Sequence, residues 1–299
     1  MTASGRQPKF VSVFTIPKPF SGLAALQQRN AIGSWTRLGS DVEVILCADE
    51  RGVADTALEF GARHVPDIPR NDHGTPLVSA AFAAASANST AQLLCYVNAD
   101  IVLMSDFVQA LKRVNLARFL AAGRRCDLDF ETPLDFESSS WQEDMRALAQ
   151  THGKMHGPEA MDYFAFPRGF IDTMPPFTVG RAMWDNWLVF HARALGGSVV
   201  DITHDTVVIH QNHDYAHVDA GQVGVWFGPE ARANRRLARQ MLYPFTLDDA
   251  TLLLKDGKLV RQAGIPALLR SWQSMVALAV RRRPAVINFI RTALHAKEA

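Results

Sequence analysis

The strongest constraint on this chain is the alternation of short apolar runs with helix-forming segments in its first 114 residues. Runs rich in β-branched and aromatic residues at 10–16, 42–48 and 93–97 predict strands, and the segments between them predict helices. Strands that alternate with helices in this way form a parallel sheet covered by helices on both faces. The sequence therefore predicts an α/β fold whose ligands bind outside the carboxyl ends of the strands.

Candidate ligand-binding residues follow these predicted strands directly. They are Ile16, Pro17 and Lys18 after the first strand, Asp49 after the second, and Asn98, Ala99 and Asp100 after the strand at 93–97. In an extended segment Asn98 and Asp100 point to the same side, because side chains alternate with a period of two. Oxygen ligands so placed suit a hard divalent cation that also holds phosphates. The alternative is a turn shaped by the Asn and Asp side chains.

Composition excludes several other classes of protein. The glycines match neither GxGxxG nor the P-loop pattern, and the net charge of +1 gives no sign of a nucleic-acid partner. The three cysteines lack metal-ligand spacing and suit a reducing compartment. The N-terminal residues lack the apolar core of a signal peptide, and no run of about eighteen apolar residues predicts a membrane span. We therefore expect a cytoplasmic protein.

Further along the chain, the pattern predicts more strands and helices, with residues 127–154 as a polar excursion that contains a helix. The predicted elements are a helix capped by Asp106 and ending near Val114, strands at 118–124 and 161–167, a helix at 180–195, a strand pair or one bent strand within 198–209, and a hairpin within 247–259.

Several motifs resemble the GT-A-type glycosyltransferases, and in particular a group associated with the synthesis of cell-surface polysaccharides. These motifs are YVNAD at 96–100, MDYFAFPRG at 161–169, PPFTVGRAMWDNW at 175–187 and VIHQNHDY at 208–215. The resemblance implies a GT-A-like, Rossmann-type mixed sheet, mostly parallel and flanked by helices, with a C-terminal helical extension. It divides the chain into a flexible N-terminus (1–9), a nucleotide-sugar transferase domain (10–245) and a basic helical extension (246–299).

The activity that the resemblance implies is transfer of a sugar from a nucleoside-diphosphate sugar to a glycan or lipid-linked glycan. In that family a DxD motif at a strand end binds a divalent cation and the diphosphate. Here Asn98 replaces the first Asp and supplies no charge, so the affinity for Mn²⁺ or Mg²⁺ should be weakened. Asp100 and the late His210 are then the metal candidates, and imidazole favours Mn²⁺ over Mg²⁺.

The chemical requirements of sugar transfer suggest roles for other residues. Lys18 and Arg181 are candidates to stabilise the charge of the leaving diphosphate, and Asp49 to contact the base or ribose. Asp185, between two tryptophans that can raise its pKa, is the candidate general base. The expected sugar- or acceptor-binding residues are Asp162, Tyr163, Trp184, Trp187 and His213. Each of these has a structural alternative, such as a surface carboxylate for Asp185 or a turn residue for Asp49.

The histidines allow a second interpretation. His210, His213 and His217, together with His204, suggest zinc ligands of a hydrolase. Their spacing is not HExxH, and neither a cysteine nor a catalytic Glu accompanies them, so the sequence favours a loop over the diphosphate.

The end of the chain is basic and apolar. From residue 255 onward the net charge is +7, whereas the first 254 residues carry −6. Apolar residues recur at helical spacing between 265 and 294, so the segment predicts a basic amphipathic helix on the inner, anionic face of a membrane. The alternative is a helix packed on the core with a solvated basic face.

Two rival functions remain at this stage. A nucleotidyltransferase of the same fold needs a glycine-rich basic loop after the first strand, whereas residues 17–22 contain the single glycine Gly22. A catalytically weak, transferase-like scaffold would explain the loss of charge at Asn98.

Overall fold

A computed structural model describes residues 8–213 and 221–295. The strands are β1 (Val11–Thr15), β2 (Val42–Cys47), β3 (Arg63–Val65), β4 (Leu93–Val97), β5 (Ile101–Val102), β6 (Phe119–Ala122), β7 (Cys126–Leu128), β8 (Lys154–Met155), β9 (Tyr163–Pro167), β10 (Ser198–Asp201), β11 (Ile209–Gln211), β12 (Leu252–Lys255) and β13 (Lys258–Arg261). The helices are α1 (Gly22–Trp35), α2 (Val53–Phe60), α3 (Val78–Asn88), α4 (Ser105–Arg113), α5 (Trp141–His152), α6 (Trp184–Ala194), α7 (Gly221–Phe227), α8 (Pro229–Leu237), α9 (Ile265–Val280) and α10 (Pro284–His295). Most of the predicted flexible N-terminus lies outside the described residues. So do Asp214 and His217, which belong to the segment predicted to form a loop over the diphosphate or to pack beside it.

The main sheet has the strand order β13-β12-β10-β6-β9-β4-β1-β2-β3. Strand β9 is antiparallel to both neighbours and β13 is antiparallel to β12, whereas the other neighbouring pairs are parallel. The predicted mixed, mostly parallel sheet flanked by helices is therefore confirmed. The central strands β1 and β4 are buried along their whole length, as expected for strands covered on both faces.

Side chains of successive strand residues enter opposite apolar layers. In β9, Phe164 and Phe166 pack with α3 and α6, whereas Tyr163 and Ala165 pack with α1 and α4 on the other face. This alternation decides which residues of the strand are available to a ligand.

A second, smaller sheet has the order β5-β11-β7-β8. It begins where β4 ends, because β5 follows β4 after a turn of three residues. Strand β11 pairs in parallel with β7, with His210 opposite Asp127, and in antiparallel with β5, with His210 opposite Ile101. Helix α5 covers this sheet through Trp141 and Met145. The second sheet thus carries residues from three distant segments to the carboxyl end of β4.

The strands predicted at 10–16, 42–48 and 93–97 are confirmed as β1, β2 and β4. Three other predictions need correction. Met104, not Asp106, occupies the N-cap of α4, and Asp106 Oδ2 instead accepts the amide N–H of Val207 at 3.0 Å. The helix predicted from residue 180 begins only at Trp184, because Gly180 and Met183 have φ of 67° and 89°. The predicted excursion at 127–154 begins and ends in strands, β7 and β8.

The predicted domain boundary at residue 245 falls just before the hairpin of β12 and β13. Because β12 pairs in parallel with β10, this hairpin extends the main sheet. Helix α9 then packs against α6 and the turn at Leu247–Asp249, and α10 contacts α9. Among the described helices, none has the length and apolar character needed to cross a bilayer.

Candidate functional site

Charged and polar side chains meet at the carboxyl ends of β1 and β4. The carboxylate of Asp100 lies 3.1 Å from Nε2 of His213 and 3.9 Å from Nζ of Lys18. The Lys18 ammonium is also 3.5 Å from the His213 ring. Lys18, Asp100 and His213 therefore form one cluster, although 195 residues separate its first and last members.

Helix α1 fixes the position of Lys18. The side chain of Gln28 accepts a hydrogen bond from the backbone N–H of Lys18 at 2.6 Å and donates one to its carbonyl at 3.0 Å. This paired contact holds the loop after β1, in which Ile16 and Pro17 are buried. Lys18 thus stands at the strand end on a fixed backbone.

The segment from Asn98 to Ile101 is a turn, since the amide of Ile101 donates to the carbonyl of Asn98 at 3.1 Å. The expectation that an extended backbone points Asn98 and Asp100 to one side is therefore wrong. Asn98 donates its side-chain amide to Asp162 Oδ1 at 2.5 Å, whereas Asp100 joins the histidines. Ala99, between them, is buried. Asn98 thus acts as a hydrogen-bond donor to a neighbouring carboxylate.

His210 lies inside β11, and the predicted position after a strand is corrected accordingly. Its Nδ1 is 3.1 Å from Asp127 Oδ1 on the paired strand β7. Burial alone would lower the pKa of His210, but the Asp127 contact and the charges of Asp100 and Asp162 raise it above its ordinary value. The protonated imidazole is thus favoured as long as no other cation takes its place.

Arg125 joins two carboxylates of the site. Its guanidinium donates to Asp127 at 2.8 Å and to Asp162 at 2.8 Å. One oxygen of the Asp162 carboxylate therefore accepts a hydrogen bond from Asn98, and the other accepts one from Arg125. Both oxygens are thus paired, although the residue is only 7% exposed. A buried charge is stable only when it is paired in this way.

Gln211 ties β11 to α1. Its side chain donates to the carbonyls of Gln27 at 2.9 Å and Asp100 at 3.1 Å, and it accepts from Asn30 at 2.9 Å. Gln211 is completely buried. These bonds fix the backbone between His210 and His213, and they fix it to the turn that carries Asp100.

The arrangement fits a divalent cation. One potential ligand atom from each of Asp100, His210 and His213 lies within 4.8 Å of the others. Asp100 Oδ1 is buried and has no hydrogen-bond partner among the described residues, although such atoms are almost always paired. The charges and contacts of His213, His210 and Lys18 outweigh burial and hold the pKa of Asp100 well below its ordinary value. A carboxylate with two imidazoles suits Mn²⁺ and Zn²⁺ better than Mg²⁺.

Asp185 lies in the first turn of α6 and is half-buried. Burial, together with the negative charge of Asp162, raises its pKa to about 6, although hydrogen bonds from backbone amides oppose the shift. A carboxylate with such a pKa is a suitable general base near neutral pH.

Two predicted residues at the edge of the site are held by other side chains. Arg70 binds Asp49 at 2.5 Å and Glu50 at 2.7 Å, which lowers the pKa of the exposed Asp49 carboxyl. Arg181 forms an ion pair with Glu230 of α8 at 2.6 Å, and both side chains are largely buried. The side chains of Asp49 and Arg181 therefore each pair with an oppositely charged side chain outside the Asp100 cluster.

Three predicted sugar-binding aromatic residues are buried in the core. Tyr163 points to the face of the sheet opposite Asp162 and packs edge-on against Phe107, with 5.4 Å between ring centroids. Trp184 packs against Tyr96, and Trp187 stacks on His191 at 4.3 Å. The apolar character of these three residues therefore reflects packing in the core, so their expected role in binding a sugar or acceptor has almost no exposed surface to support it.

Sequence analysis missed Arg125, Asp127 and Gln211. Polar and apolar residues alternate from Arg125 to Leu128, which is the period of a strand, but β7 spans only Cys126–Leu128. An alternation over four residues is too short to predict a strand. His204, grouped earlier with the other histidines, is exposed on the turn Thr203–Asp205.

No protein-family model matches the sequence, and no curated protein matches it. Solved structures similar to this chain include glucosyl-3-phosphoglycerate synthase from Mycobacterium tuberculosis in complex with Mg²⁺ and uridine diphosphate, at 16% identity and a TM-score of 0.46, over 77% of this chain and 78% of that one. Another is the mannosyltransferase PcManGT from Pyrobaculum calidifontis in complex with GDP-Man and Mn²⁺, at 13% identity and a TM-score of 0.45, over 98% of this chain and 76% of that one.

Proposed function

We propose that this protein is a glycosyltransferase that moves a sugar, a hexose or a related unit, from a nucleoside-diphosphate sugar to a hydroxyl acceptor. The observation that supports the proposal is the meeting of Lys18, Asp100, His210 and His213 at the carboxyl ends of β1 and β4, with one buried Asp100 oxygen unpaired. This edge is where open α/β sheets bind their ligands.

The leaving diphosphate needs positive charge, and this cluster can supply it. Lys18 is fixed by Gln28 with its ammonium beside the Asp100 carboxylate, so it can donate to a diphosphate oxygen at the same place. A divalent cation on Asp100, His210 and His213 would act as a Lewis acid toward the diphosphate when bound. Asp127 holds the other side of the His210 ring, so the ring is already oriented toward the site.

Loss of the acceptor proton requires a base, and we assign this role to Asp185. Its raised pKa comes from burial and from Asp162, and the carboxylate is still ionised at neutral pH. In this assignment Asp162 acts on Asp185 through its charge, and Asn98 and Arg125 fix Asp162 in place.

The acceptor that we propose is a glycan or a lipid-linked glycan, as the resemblance implies. We place the reaction on the cytoplasmic side of a membrane, where three free, buried thiols are compatible with the reducing conditions. Asp49, beside Arg70 at the end of β2, is the proposed contact to the base or ribose. Arg181, paired with Glu230, is a proposed donor to the leaving diphosphate.

Calorimetric titration with UDP-, GDP- and TDP-sugars tests the proposal, with Mn²⁺, Mg²⁺, Zn²⁺ or no metal present. We expect one nucleotide-sugar to bind in the micromolar range, and Asp100→Asn to weaken that binding at least about tenfold because it removes one charged ligand. Asp55→Asn, an exposed carboxylate on α2, is the matched control and should leave binding unchanged.

The proposal fails if none of these donors binds with any metal or without one. Binding that is equal with and without metal would assign the positive charge to Lys18 alone, and Lys18→Gln should then abolish it. If Zn²⁺ binds but none of the nucleotide-sugars does, the hydrolase interpretation is favoured, because a carboxylate with two imidazoles also matches catalytic zinc sites.

A further inference from the structure

Helix α9 exposes a continuous row of large apolar side chains. The row, which we call the α9 stripe, consists of Ile265, Leu268, Leu269, Trp272 and Met275, which are 55–74% exposed. Spacings of three and four residues place them on one face of the helix. Such a row is costly to leave in water, and a protein that keeps one uses it to bind something.

The orientation of the α9 stripe is fixed by the opposite face of the helix. There Arg270 pairs with the buried Asp249 at 2.6 Å, and the Ser274 hydroxyl donates to the same carboxylate at 2.6 Å. The Arg270 guanidinium also lies 4.6 Å from the centre of the Tyr243 ring. Since this anchored face carries the specific contacts, the α9 stripe faces outward as a consequence of the fold.

The charge around the α9 stripe has one sign. Residues 265–295 include five arginines and no acidic residue. Arg270 is neutralised by Asp249, whereas Arg282 and Arg283 are exposed between α9 and α10. Helix α10 adds the apolar side chain of Phe289, which is 75% exposed. Apolar side chains thus stand beside positive charge that has no local counter-charge in the sequence.

We infer that the α9 stripe binds the surface of an anionic lipid bilayer. A helix that lies in the headgroup region has apolar residues, typically with Trp, on one face and basic residues beside it, and α9 and α10 match this pattern. A second copy of the chain is a poorer occupant, because each copy would bring the same excess of positive charge to the contact. The inference holds whether or not the protein transfers sugars, and its test does not measure transfer.

The test is co-sedimentation of the full-length protein with phosphatidylglycerol vesicles and with phosphatidylcholine vesicles. We expect binding to phosphatidylglycerol that weakens as salt is added, and little binding to phosphatidylcholine. The double variant Leu269→Ser/Trp272→Ser should lower the partition coefficient at least about tenfold, because it removes apolar area from the contact. Its matched control is Leu58→Ser, an exposed leucine on α2.

The contribution of charge is tested with the double variant Arg282→Gln/Arg283→Gln. We expect it to lower binding to phosphatidylglycerol about twenty-fivefold, at about fivefold per arginine. The matched control, Arg51→Gln/Arg63→Gln, changes two exposed arginines elsewhere and should bind as the wild type does. Circular dichroism of every variant shows whether folding is retained, and all the substituted side chains are exposed.

Equal binding to both lipids, or unchanged binding of the stripe variant, would overturn the inference. So would a wild-type dimer in sedimentation velocity that becomes a monomer in the stripe variant while neither protein binds vesicles. That last result would assign the α9 stripe to a second copy of this chain.

Discussion

At the scale of single residues, Asn98 is a hydrogen-bond donor to a neighbouring carboxylate, whereas an Asp at this position in a DxD motif would be an acceptor. Its side-chain amide donates to Asp162 at 2.5 Å, and the backbone amide of Asn98 donates to the Asp162 carbonyl at 2.8 Å. A carboxylate at this position would face a second carboxylate instead. The neutral amide therefore pairs with Asp162 at a place where a second carboxylate would be repelled.

We predict that Asn98→Asp, which introduces a DxD pattern at residues 98–100, does not tighten metal binding. Two carboxylates in contact should lower the free energy of unfolding by about 2–4 kcal/mol at pH 7, and stability should recover near pH 5 as one of them is protonated. Urea unfolding and Mn²⁺ titration by electron paramagnetic resonance measure the two effects. Asn115→Asp, at an exposed position, is the control. Tighter Mn²⁺ binding with unchanged stability would show that residue 98 is a metal ligand.

Asp185 gives a prediction about pH. Its native pKa of about 6 lies above the ordinary 3.8, so folding favours the protonated form. Stability is therefore lost as pH rises from about 4 to about 6, and Asp185→Asn should be more stable than the wild type above pH 6 by about 2 kcal/mol. The difference should vanish below pH 4, which unfolding experiments at several pH values can measure.

The same carboxylate should set the acid side of the activity profile. If Asp185 is the base, kcat/KM falls below about pH 6 as it becomes protonated, and Asp185→Asn loses at least about a hundredfold in rate. A variant that is stabilised and inactive has lost a functional group, whereas one that is stabilised and active has lost only a half-buried carboxylate of α6 that takes no part in the reaction.

At the scale of elements, the second sheet builds the site. Strands β5, β7, β8 and β11 have two or three residues each, and no one of them is stable alone. Their pairing brings His210 opposite Asp127 and next to the turn that carries Asp100. Gln211 adds the bonds to α1 that fix this arrangement.

The contact between α9 and the hairpin region depends on Asp249. This carboxylate is almost completely buried. It accepts hydrogen bonds from the side chains of Arg270, Ser274 and Tyr243 and from the backbone amide of Thr246. We predict that Asp249→Asn lowers the free energy of unfolding by about 3 kcal/mol, because Arg270 loses its partner. Hydrogen exchange should speed up in α9 and stay unchanged in β1 and β4.

Asp248→Asn is the matched control for Asp249, since its side chain is exposed one residue away. If both variants exchange at the wild-type rate throughout α9, the helix is held by its apolar contacts and not by the carboxylate.

At the scale of the whole molecule, each of the three apolar layers contains one cysteine. Cys47 lies between the main sheet and helices α3 and α6, Cys95 on the α1 and α4 side, and Cys126 beneath α5 in the second sheet. All three thiols are free and buried, and burial raises the pKa of Cys47 to about 12. The thiols can therefore report when each layer opens.

We predict that native protein is unreactive toward a thiol reagent, because labelling requires exposure and a thiolate. In pulse labelling at increasing urea, Cys126 should react first, since it is 7% exposed and its layer has the fewest buried side chains. Mass spectrometry of peptides identifies each labelled cysteine. Simultaneous labelling of all three would show that the layers unfold as one unit.

Much of the main sheet could be predicted because its strands are local runs of apolar residues. Strands β1, β2 and β4 and helices α1 to α3 follow from such runs and the breaks between them. Lys18 and Asp100 were candidates because each follows a predicted buried strand, whereas His210 and His213 were candidates through the resemblance to GT-A-type glycosyltransferases.

The remaining features depended on the tertiary structure, because no local pattern encodes them. Whether Trp184 and Trp187 face a sugar or the core depends on where α6 begins and which face it buries. The pairing of Asp127 with His210 joins segments about eighty residues apart through strands too short to predict. The sequence by itself determined an α/β sheet with a polar carboxyl edge, because hydrophobic periodicity is local. Only the fold decided that Asn98 serves Asp162 while Asp100 joins two histidines, because these are contacts between distant residues.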